Sequence, residues 1–284
     1  MAIFTNQATL TYDGGSTSSN IVSGEILEVL SATKTALSDT YESGETVTYI
    51  ISIINSGSTA YTALTVTDNL GAYSFGTPST TLYPLTYVNG TLTYLVNGNV
   101  QPTPSVTAGP PLTITGVNVP AGGNVSLIYN ALVNSFAPPS LDSTITNTAT
   151  ISGGGITPIT VSETVVATNE TSLTISKAIC PETVVENGQL TYTFVIQNSG
   201  EAAVATDNII VSDTFNPILD PISVAFNGTP WTEGTNYTYD NTTGQFQTIA
   251  GQITVPGATY TQDAITGLWQ TTPGVAVLRV VGTV

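Results

Sequence analysis

The sequence predicts an all-β protein built from two tandem β-sandwiches, on the evidence of its composition, its turn residues and an internal repeat. Val, Ile, Thr and Tyr recur in short runs, and 26 Gly and 16 Pro separate those runs. No long segment carries apolar residues at the 3.6-residue period of a helix, whereas alternation at a period of two is frequent. A chain of 284 residues is long enough for two hydrophobic cores.

Two segments of the chain repeat the same motifs in the same order. An Asn-Ser-Gly turn begins 21 residues after Lys34 and again 21 residues after Lys177. Asp68 follows Lys34 by 34 residues, and Asp213 follows Lys177 by 36. Self-similarity in a fixed order predicts two sandwiches of roughly 100 to 120 residues each.

The two ends of the chain differ in a way that predicts strand exchange. Residues 4–12 resemble residues 145–151, the strand expected to close the first repeat. The second repeat reaches Val284 at the point where its own closing strand is expected to begin. A simpler alternative makes the N-terminal segment an ordinary first strand of the first repeat. The expected organisation is a donor strand (1–15), a connector (16–30), a first domain (31–152), a second connector (153–171) and an incomplete second domain (172–284).

The charge and residue inventory excludes several functions. Three basic residues oppose 19 acidic ones, so the net charge is −16 and a nucleic-acid surface is not expected. The chain has no His and only one Cys, Cys180, so no His-dependent nucleophile and no intrachain disulfide can form. No ligand run resembles a Ca²⁺ loop, and no apolar run is long enough for a bilayer. We therefore expect a non-enzyme without metal or cofactor that does not insert into membranes.

The repeats resemble the Ig-like conserved repeat domain found in bacterial cell-surface proteins. That family has an early strand with Lys, a G-x-x-V-x-Y strand, an N-x-G turn, a V-T-D-x-L strand and a closing N-T-A-T strand. The first repeat matches at Gly44 to Tyr49, Val66 to Leu70 and Asn147 to Thr150. The resemblance implies Ig-like sandwiches in an envelope or extracellular setting and no catalytic turnover. The second repeat departs from the pattern because its closing strand is missing.

Six polar residues share the strand phase of apolar neighbours. Alternate residues of a strand lie on the same side, and Lys34, for example, is in phase with Leu30 and Ala32. Unpaired charges are too unfavourable to remain in a core, so such groups should be paired or neutralised. The inward-facing set is Lys34, Asp68 and Asn147 in the first repeat, Lys177 and Asp213 in the second, and Asn6 near the start.

Two kinds of chemistry fit this set of residues. One is a buried Lys–Asp ion pair beside a hydrogen-bonded Asn. The other resembles the spontaneous isopeptide bond of Gram-positive pilin and adhesin domains, in which the Lys amine attacks the Asn carboxamide and ammonia leaves. Burial favours the neutral forms of both charged groups, and a fixed geometry supplies effective molarity. The predicted cross-links, each with its catalytic Asp, are Lys34–Asn147 with Asp68 within one chain and Lys177–Asn6 with Asp213 between chains.

These observations predict a structural subunit of an extracellular bacterial filament, on the surface of a cell or an endospore. Donation of the N-terminal strand into the second repeat of the next subunit is a head-to-tail contact that does not close on itself. The partner is therefore another copy of the chain, with a surface anchor or cap protein as a further candidate. The alternatives are a monomeric adhesin or ligand-binding module and a sheet-forming S-layer or spore-coat component. The predicted donor side chains are Phe4, Asn6, Ala8, Leu10 and Tyr12.

Overall fold

The computed structural model describes residues 2–26, 29–168 and 170–284. Over these ranges the protein has 28 strands and a single turn of 3₁₀ helix at Ala205–Asp207. Within the same ranges, no helix has the length and apolar character needed to cross a membrane. The chain divides into two compact units: unit 1 at residues 1–74, 81–134 and 144–165, and unit 2 at 75–80, 135–143 and 166–284.

The chain begins with a hairpin of two antiparallel arms, called here the N-terminal hairpin, and each arm contains two short strands. Its strands are β1 (Ala2–Asn6), β2 (Thr9–Tyr12), β3 (Gly15–Ser18) and β4 (Val22–Ile26). β1 pairs with β4 and β2 pairs with β3, both antiparallel. Between the two ladders, Ser19 N donates to Ala8 O at 2.8 Å and Ala8 N donates to Ser19 Oγ at 3.0 Å. Every side chain from Phe4 to Ser23 is exposed.

Unit 1 contains the next strands of the chain, most of them short. They are β5 (Leu30–Ala36), β6 (Thr40–Tyr41), β7 (Thr46–Asn55), β8 (Tyr61–Asp68), β9 (Tyr73–Phe75), β10 (Thr80–Leu82), β11 (Leu85–Tyr87), β12 (Thr93–Val96), β13 (Asn99–Gln101), β14 (Ser105–Thr107), β15 (Leu112–Val119), β16 (Asn124–Val133), β17 (Thr144–Ser152) and β18 (Ile159–Ala167).

Two six-stranded sheets form the sandwich of unit 1. One has the order β13-β12-β16-β7-β5 with β11 also paired to β16, and the other has the order β14-β15-β8-β17-β18-β6. β7 alternates strictly, so Tyr49, Ile51 and Ile53 are fully buried while the residues between them are not. The Tyr49 ring stacks on Tyr129 of β16 with 5.8 Å between ring centroids. Burial of alternate apolar side chains from both sheets stabilises this unit.

Unit 2 contains the remaining strands. They are β19 (Leu173–Cys180), β20 (Gln189–Asn198), β21 (Ser212–Thr214), β22 (Ile222–Phe226), β23 (Thr229–Trp231), β24 (Tyr237–Asp240), β25 (Gln245–Thr248), β26 (Thr259–Gln262), β27 (Trp269–Thr272) and β28 (Gly274–Thr283). A five-stranded sheet has the order β19-β20-β28-β22-β23, and a three-stranded sheet has the order β21-β25-β24. Their facing side chains form a core that includes Phe194, Phe215 and Phe246. The prediction of an all-β fold with tandem Ig-like sandwiches is confirmed.

Both segments that the sequence analysis assigns to connectors contain regular strands. β18 lies within residues 153–171 and belongs to a sheet of unit 1, between β17 and β6. β3 and β4 lie largely within residues 16–30 and complete the N-terminal hairpin. The polar, Thr-rich composition predicts a connector with some strand character, and in β18 the residues Thr160, Ser162 and Thr164 occupy the outer face. Of its inward positions, Val165 and Ala167 are buried, and Ile159, Val161 and Glu163 are partly buried.

Candidate functional site

In unit 1 a lysine and an aspartate from different sheets meet inside the core. Lys34 lies in the middle of β5, and Asp68 is the last residue of β8. The Nζ atom of Lys34 is 2.5 Å from Oδ2 of Asp68, and the two side chains are 0% and 1% exposed. The amine also lies 4.8 Å from the centre of the Tyr49 ring. Both charged groups are therefore shielded from water, and each is the counter-ion of the other.

The Asp68 carboxylate has hydrogen-bond donors on both oxygens. Oδ1 accepts from the backbone N–H of Leu70 at 2.9 Å, and Oδ2 accepts from both Lys34 and the hydroxyl of Tyr129. Charge-assisted hydrogen bonds of this kind are the stronger class in proteins. Three donors thus fix the orientation of the carboxyl group between β5, β8 and β16.

Asn147 completes the cluster from β17. Its side chain is fully buried, and its Nδ2 donates to the Tyr129 hydroxyl over 3.4 Å. Its carbonyl oxygen accepts from the backbone N–H of Gly71 at 3.3 Å. Gly71 has φ +72°, and a Cβ atom there would lie 2.6 Å from a methyl group of Ile145, so glycine is required at this turn. The same N–H also donates to Oδ1 of Asn69 at 3.0 Å, so the turn after β8 shares one donor between Asn69 and the Asn147 carbonyl.

Tyr129 links the polar residues, although the sequence analysis does not include it. Its hydroxyl donates to Asp68 and accepts from Asn147, so a single oxygen joins the carboxyl group to the amide. Its phase on β16, shared with the buried Val125 and Leu127, is a signal that the sequence carries. The phase predicts burial only, because the identity of the groups that face Tyr129 depends on the packing of two sheets.

Burial in the unit 1 cluster favours the neutral forms of Lys34 and Tyr129. Burial lowers the pKa of Lys34 to about 8, and this effect outweighs the opposing attraction of Asp68 and, further away, Glu163. Burial also raises the pKa of Tyr129 well above its usual value, and the negative charge of Asp68 acts in the same direction. With a pKa of about 8, about a tenth of Lys34 is an uncharged, nucleophilic amine at pH 7 and about half at pH 8.

Unit 2 has the matching lysine and aspartate, but its site is open. Lys177 of β19 donates to Asp213 of β21, and these side chains are 40% and 19% exposed. Lys177 lies 4.3 Å from the centre of the Tyr192 ring. The cross-strand registers place Val280 opposite Tyr192, where unit 1 has Tyr129 opposite Tyr49. The second site therefore lacks the bridging hydroxyl of the first.

The exposure of the second site follows from its sheet topology. In unit 1, β8 lies between β15 and β17, whereas among the described residues of unit 2 its counterpart β21 pairs with β25 alone. The apolar residues in phase with Lys177 are consequently uncovered. Ile175 is 56% exposed, Ile179 39% and Leu173 36%, whereas Ala32 and Ala36, in phase with Lys34, are partly buried. An open edge beside an apolar face is a site for strand addition.

The predicted donor residues lie in the exposed N-terminal hairpin. Phe4, Leu10 and Tyr12 are 54%, 63% and 62% exposed, and Asn6 pairs across the hairpin with Val22. The sequence analysis treats the segment as one continuous strand, but the ladder is interrupted at Gln7 and Ala8. Ser19 bonds to the backbone there in place of a regular strand partner. Asn6 is therefore accessible, and its strand already has a partner on one side.

Comparison with known proteins gives weak structural similarities only. No protein-family model and no curated protein matches the sequence. The major pilin subunit BcpA of Bacillus cereus is similar over 96% of this chain and 73% of that chain, with 13% identity and a TM-score of 0.35. The full-length major pilin SpaD from Corynebacterium diphtheriae is similar over 86% and 59%, with 12% identity and a TM-score of 0.36.

The collagen adhesin CNA from S. aureus is similar over 54% of this chain, with 14% identity and a TM-score of 0.31. The alignment spans 55% of that adhesin, so this chain matches little more than half its length. At such scores and identities these similarities assign no function to the chain.

Proposed function

We propose that this protein is a structural subunit of an extracellular bacterial filament, which polymerises head-to-tail by inserting its N-terminal segment into unit 2 of the next subunit. The observation that carries the proposal is the difference between the two Lys–Asp pairs. The pair in unit 1 is sealed beneath β17, and the equivalent pair in unit 2 is exposed beside an unpaired edge. The chain also holds an exposed copy of the β17 motif around Asn6.

Within unit 1, the arrangement supports an isopeptide bond between Lys34 and Asn147. The neutral Nζ attacks Cγ of Asn147, whose carbonyl oxygen is polarised by the N–H of Gly71. A bond forms between Nζ and Cγ, the bond between Cγ and Nδ2 breaks, and ammonia leaves. Asp68 accepts a proton from the attacking amine and returns one to the departing nitrogen, with Tyr129 as the hydroxyl between them. The reaction needs no oxidant, metal or cofactor.

At the junction between subunits, the same chemistry would join Lys177 to Asn6 of the next copy. Insertion of the donor segment would cover Lys177 and Asp213 and remove water from the pair. Burial is the factor that lowers the pKa of Lys34, so insertion itself would activate Lys177. A covalent junction would then be stable kinetically as well as thermodynamically.

The partner in this proposal is a second copy of the chain. The contact joins a donor surface to a different acceptor surface, so it is heterologous and generates an open fibre. The net charge of −16 keeps free subunits apart until specific pairing occurs. A surface anchor or cap protein at the end of the fibre is part of the proposal. The proposal also includes an extracellular setting, on a cell or an endospore, and no enzymatic turnover beyond the self-reaction.

A monomeric adhesin is the second candidate, and one feature favours it. Unit 1 has a cleft of about 530 Å³ lined by aromatic and proline side chains, among them Tyr61, Tyr94, Pro102, Pro104 and Pro120. Apolar clefts of this volume are common ligand sites. An adhesin would stay monomeric in solution, and its cleft would bind a ligand whether or not residues 1–12 are present.

The proposal is tested by boiled, reduced denaturing gels with the intact mass of every band. We expect a ladder of multimers in which each bond has removed one ammonia. Lys177→Arg keeps the positive charge but cannot form the bond, so it should collapse the ladder to monomers. Asn6→Ala should do the same, whereas Asn20→Ala, at an exposed position of the same hairpin, should leave the ladder intact. Monomers alone, without fibres in electron micrographs, would contradict the filament and favour the adhesin.

A further inference from the structure

We infer that the element donated to unit 2 is the whole N-terminal hairpin, residues 2–26, and not the single strand formed by β1 and β2. This inference rests on the proposed function and specifies the donor. It predicts that β3 and β4 enter the neighbouring subunit together with Asn6.

Unit 1 is closed by two strands. β17 and β18 follow each other through the glycines at 153–155, and they stand side by side between β8 and β6. Hydroxyl pairs join Thr146 to Thr164 at 2.9 Å and Thr148 to Ser162 at 3.2 Å. These contacts place Asn147 opposite Glu163, with both on the inward side. β18 therefore completes the sheet beyond β17 and lies near the lysine of the site.

The N-terminal hairpin also consists of two antiparallel arms, although its register shifts by one residue between the β1–β4 and β2–β3 ladders. Its strands turn at Asp13 and Gly14, and the side of the hairpin that carries Asn6 also carries Phe4 and Val22, both more than half exposed. The Phe4 ring covers Gly24, because a Cβ atom at that glycine would lie 2.4 Å from the ring. The hairpin therefore presents a largely apolar side with a single carboxamide in it, and the inward side of the β17–β18 hairpin has the same carboxamide together with Glu163.

By comparison with unit 1, two strand positions beside β21 are unfilled in the part of unit 2 that the structure describes. In unit 1 the outer edge of β18 pairs with β6 at Thr40–Tyr41, and the equivalent residues Thr183 and Val184 of unit 2 lie outside any strand. Insertion of β1–β2 alone would leave that second position empty and give the inserted strand an unpaired outer edge. A two-stranded hairpin is only marginally stable by itself in water. Insertion of the complete hairpin would fill both strand positions of unit 2, and it would bring the donor hairpin into a larger sheet.

The hairpin also gives the junction a different electrostatic character from unit 1. Val22 stands opposite Asn6 where unit 1 has Glu163 opposite Asn147. Val280 also occupies the position that Tyr129 has in unit 1. Asp213 would therefore be the carboxyl group beside Lys177 at the junction. The inserted hairpin would therefore seal a more apolar site than the one in unit 1.

The experiment is hydrogen exchange measured by mass spectrometry on the full chain carrying Lys177→Ala. This change removes the covalent step, so the same protein can be measured as monomer and as fibre. We expect amide exchange in residues 2–12 and in residues 13–26 to slow by about 100-fold or more on assembly. Slowing in residues 2–12 with unchanged exchange in 13–26 would overturn the hairpin inference and keep strand donation. Unchanged exchange in both segments would contradict strand donation itself.

A pair of substitutions gives a second, independent readout. Val22→Asp puts a charge on the side of β4 that would enter unit 2, and Ser23→Asp puts the same charge on the opposite side. We expect Val22→Asp to abolish fibres and Ser23→Asp to leave them intact, measured by light scattering and microscopy. Leu10→Asp, in the strand common to both schemes, should abolish fibres in either case. Normal fibres from Val22→Asp, with none from Leu10→Asp, would overturn the hairpin inference alone.

Discussion

Lys34 and Asp68 lie 34 residues apart in the chain, and their side-chain atoms approach to 2.5 Å inside a core from which water is excluded. The equivalent Lys177 and Asp213 also contact each other, but solvent reaches both of them. Desolvation penalties outweigh Coulombic gains in many buried pairs, so the two sites should respond differently to the same substitution. The following predictions use that difference and the neighbours of Lys34.

Removal of the carboxylate should affect the two units unequally. In an Asn147→Ala background, which keeps Lys34 as a free amine, Asp68→Asn would leave that amine buried without a counter-ion, and breaking such a pair costs about 3–5 kcal/mol. Asp213→Asn removes a partly exposed partner, for which about 0–1 kcal/mol is expected. Urea unfolding followed by fluorescence measures both values. Equal losses at the two positions would contradict the assigned burial.

Removal of the Tyr129 hydroxyl should lower the free energy of unfolding of unit 1. Tyr129→Phe leaves the Asn147 amide without its acceptor and removes one donor from Asp68, for an expected loss of about 1–3 kcal/mol. If the Lys34–Asn147 bond forms, this change should also slow the loss of ammonia measured by intact mass. Tyr94→Phe is the matched control, because its hydroxyl bonds to Asn118 outside the cluster. Ammonia loss at the same rate in both variants would exclude a role for Tyr129 in the reaction.

The turn at Gly71 should be sensitive to a single methyl group. Gly71→Ala would combine a positive φ with a contact of 2.6 Å to Ile145, and it would displace the N–H that bonds to the Asn147 carbonyl. Gly90→Ala has a similar φ of +79° with nothing within 4 Å, so it isolates the backbone term of about 1 kcal/mol. Gly71→Ala should therefore destabilise unit 1 more than Gly90→Ala. Equal effects would show that the close packing at this turn is unimportant.

An unreacted Lys34 should make stability rise with pH over a defined window. Burial lowers the folded-state pKa of Lys34 to about 8 from 10.5, so the unfolded chain binds more protons between those values. The free energy of unfolding should then increase above pH 8, with a slope of at most about 1.4 kcal/mol per pH unit. It should fall again above about pH 10, where the raised pKa values of Tyr49 and Tyr129 favour the unfolded state.

The comparison of two chains makes this pH profile decisive. Asn147→Ala cannot form the bond and should show the rise, whereas a wild-type chain with a complete bond has no free Lys34 amine and should not. Both measurements use a Cys180→Ser background, because an exposed thiol oxidises at alkaline pH. A rise of the same size in the wild-type chain would contradict the isopeptide bond in unit 1.

Much of the candidate site could be predicted from strand phase. Alternation is a local property of the chain, so it was sufficient to place Lys34, Asp68 and Asn147 on the inward side before their partners were known. All three are buried in the structure. Composition and period-two alternation gave the all-β fold, and the spacing of matching motifs gave the correspondence between the two repeats. The chemical roles of these residues and of Lys177, Asp213 and Asn6 stay predictions.

The tertiary structure decided which groups the inward-facing side chains contact. Tyr129 enters the site because β16 and β17 belong to different sheets that pack together, and the N–H of Gly71 enters because the turn after β8 passes beneath Asn147. Pairing of β1 with β4 and of β2 with β3 makes residues 2–26 a hairpin. Lys177 is exposed because, among the described residues, β21 has a strand on one side only. Sequence by itself determined which residues share one face of a strand, since that depends on adjacent residues. Which groups they touch depends on pairings across many tens of residues, and these are fixed only when the sheets assemble.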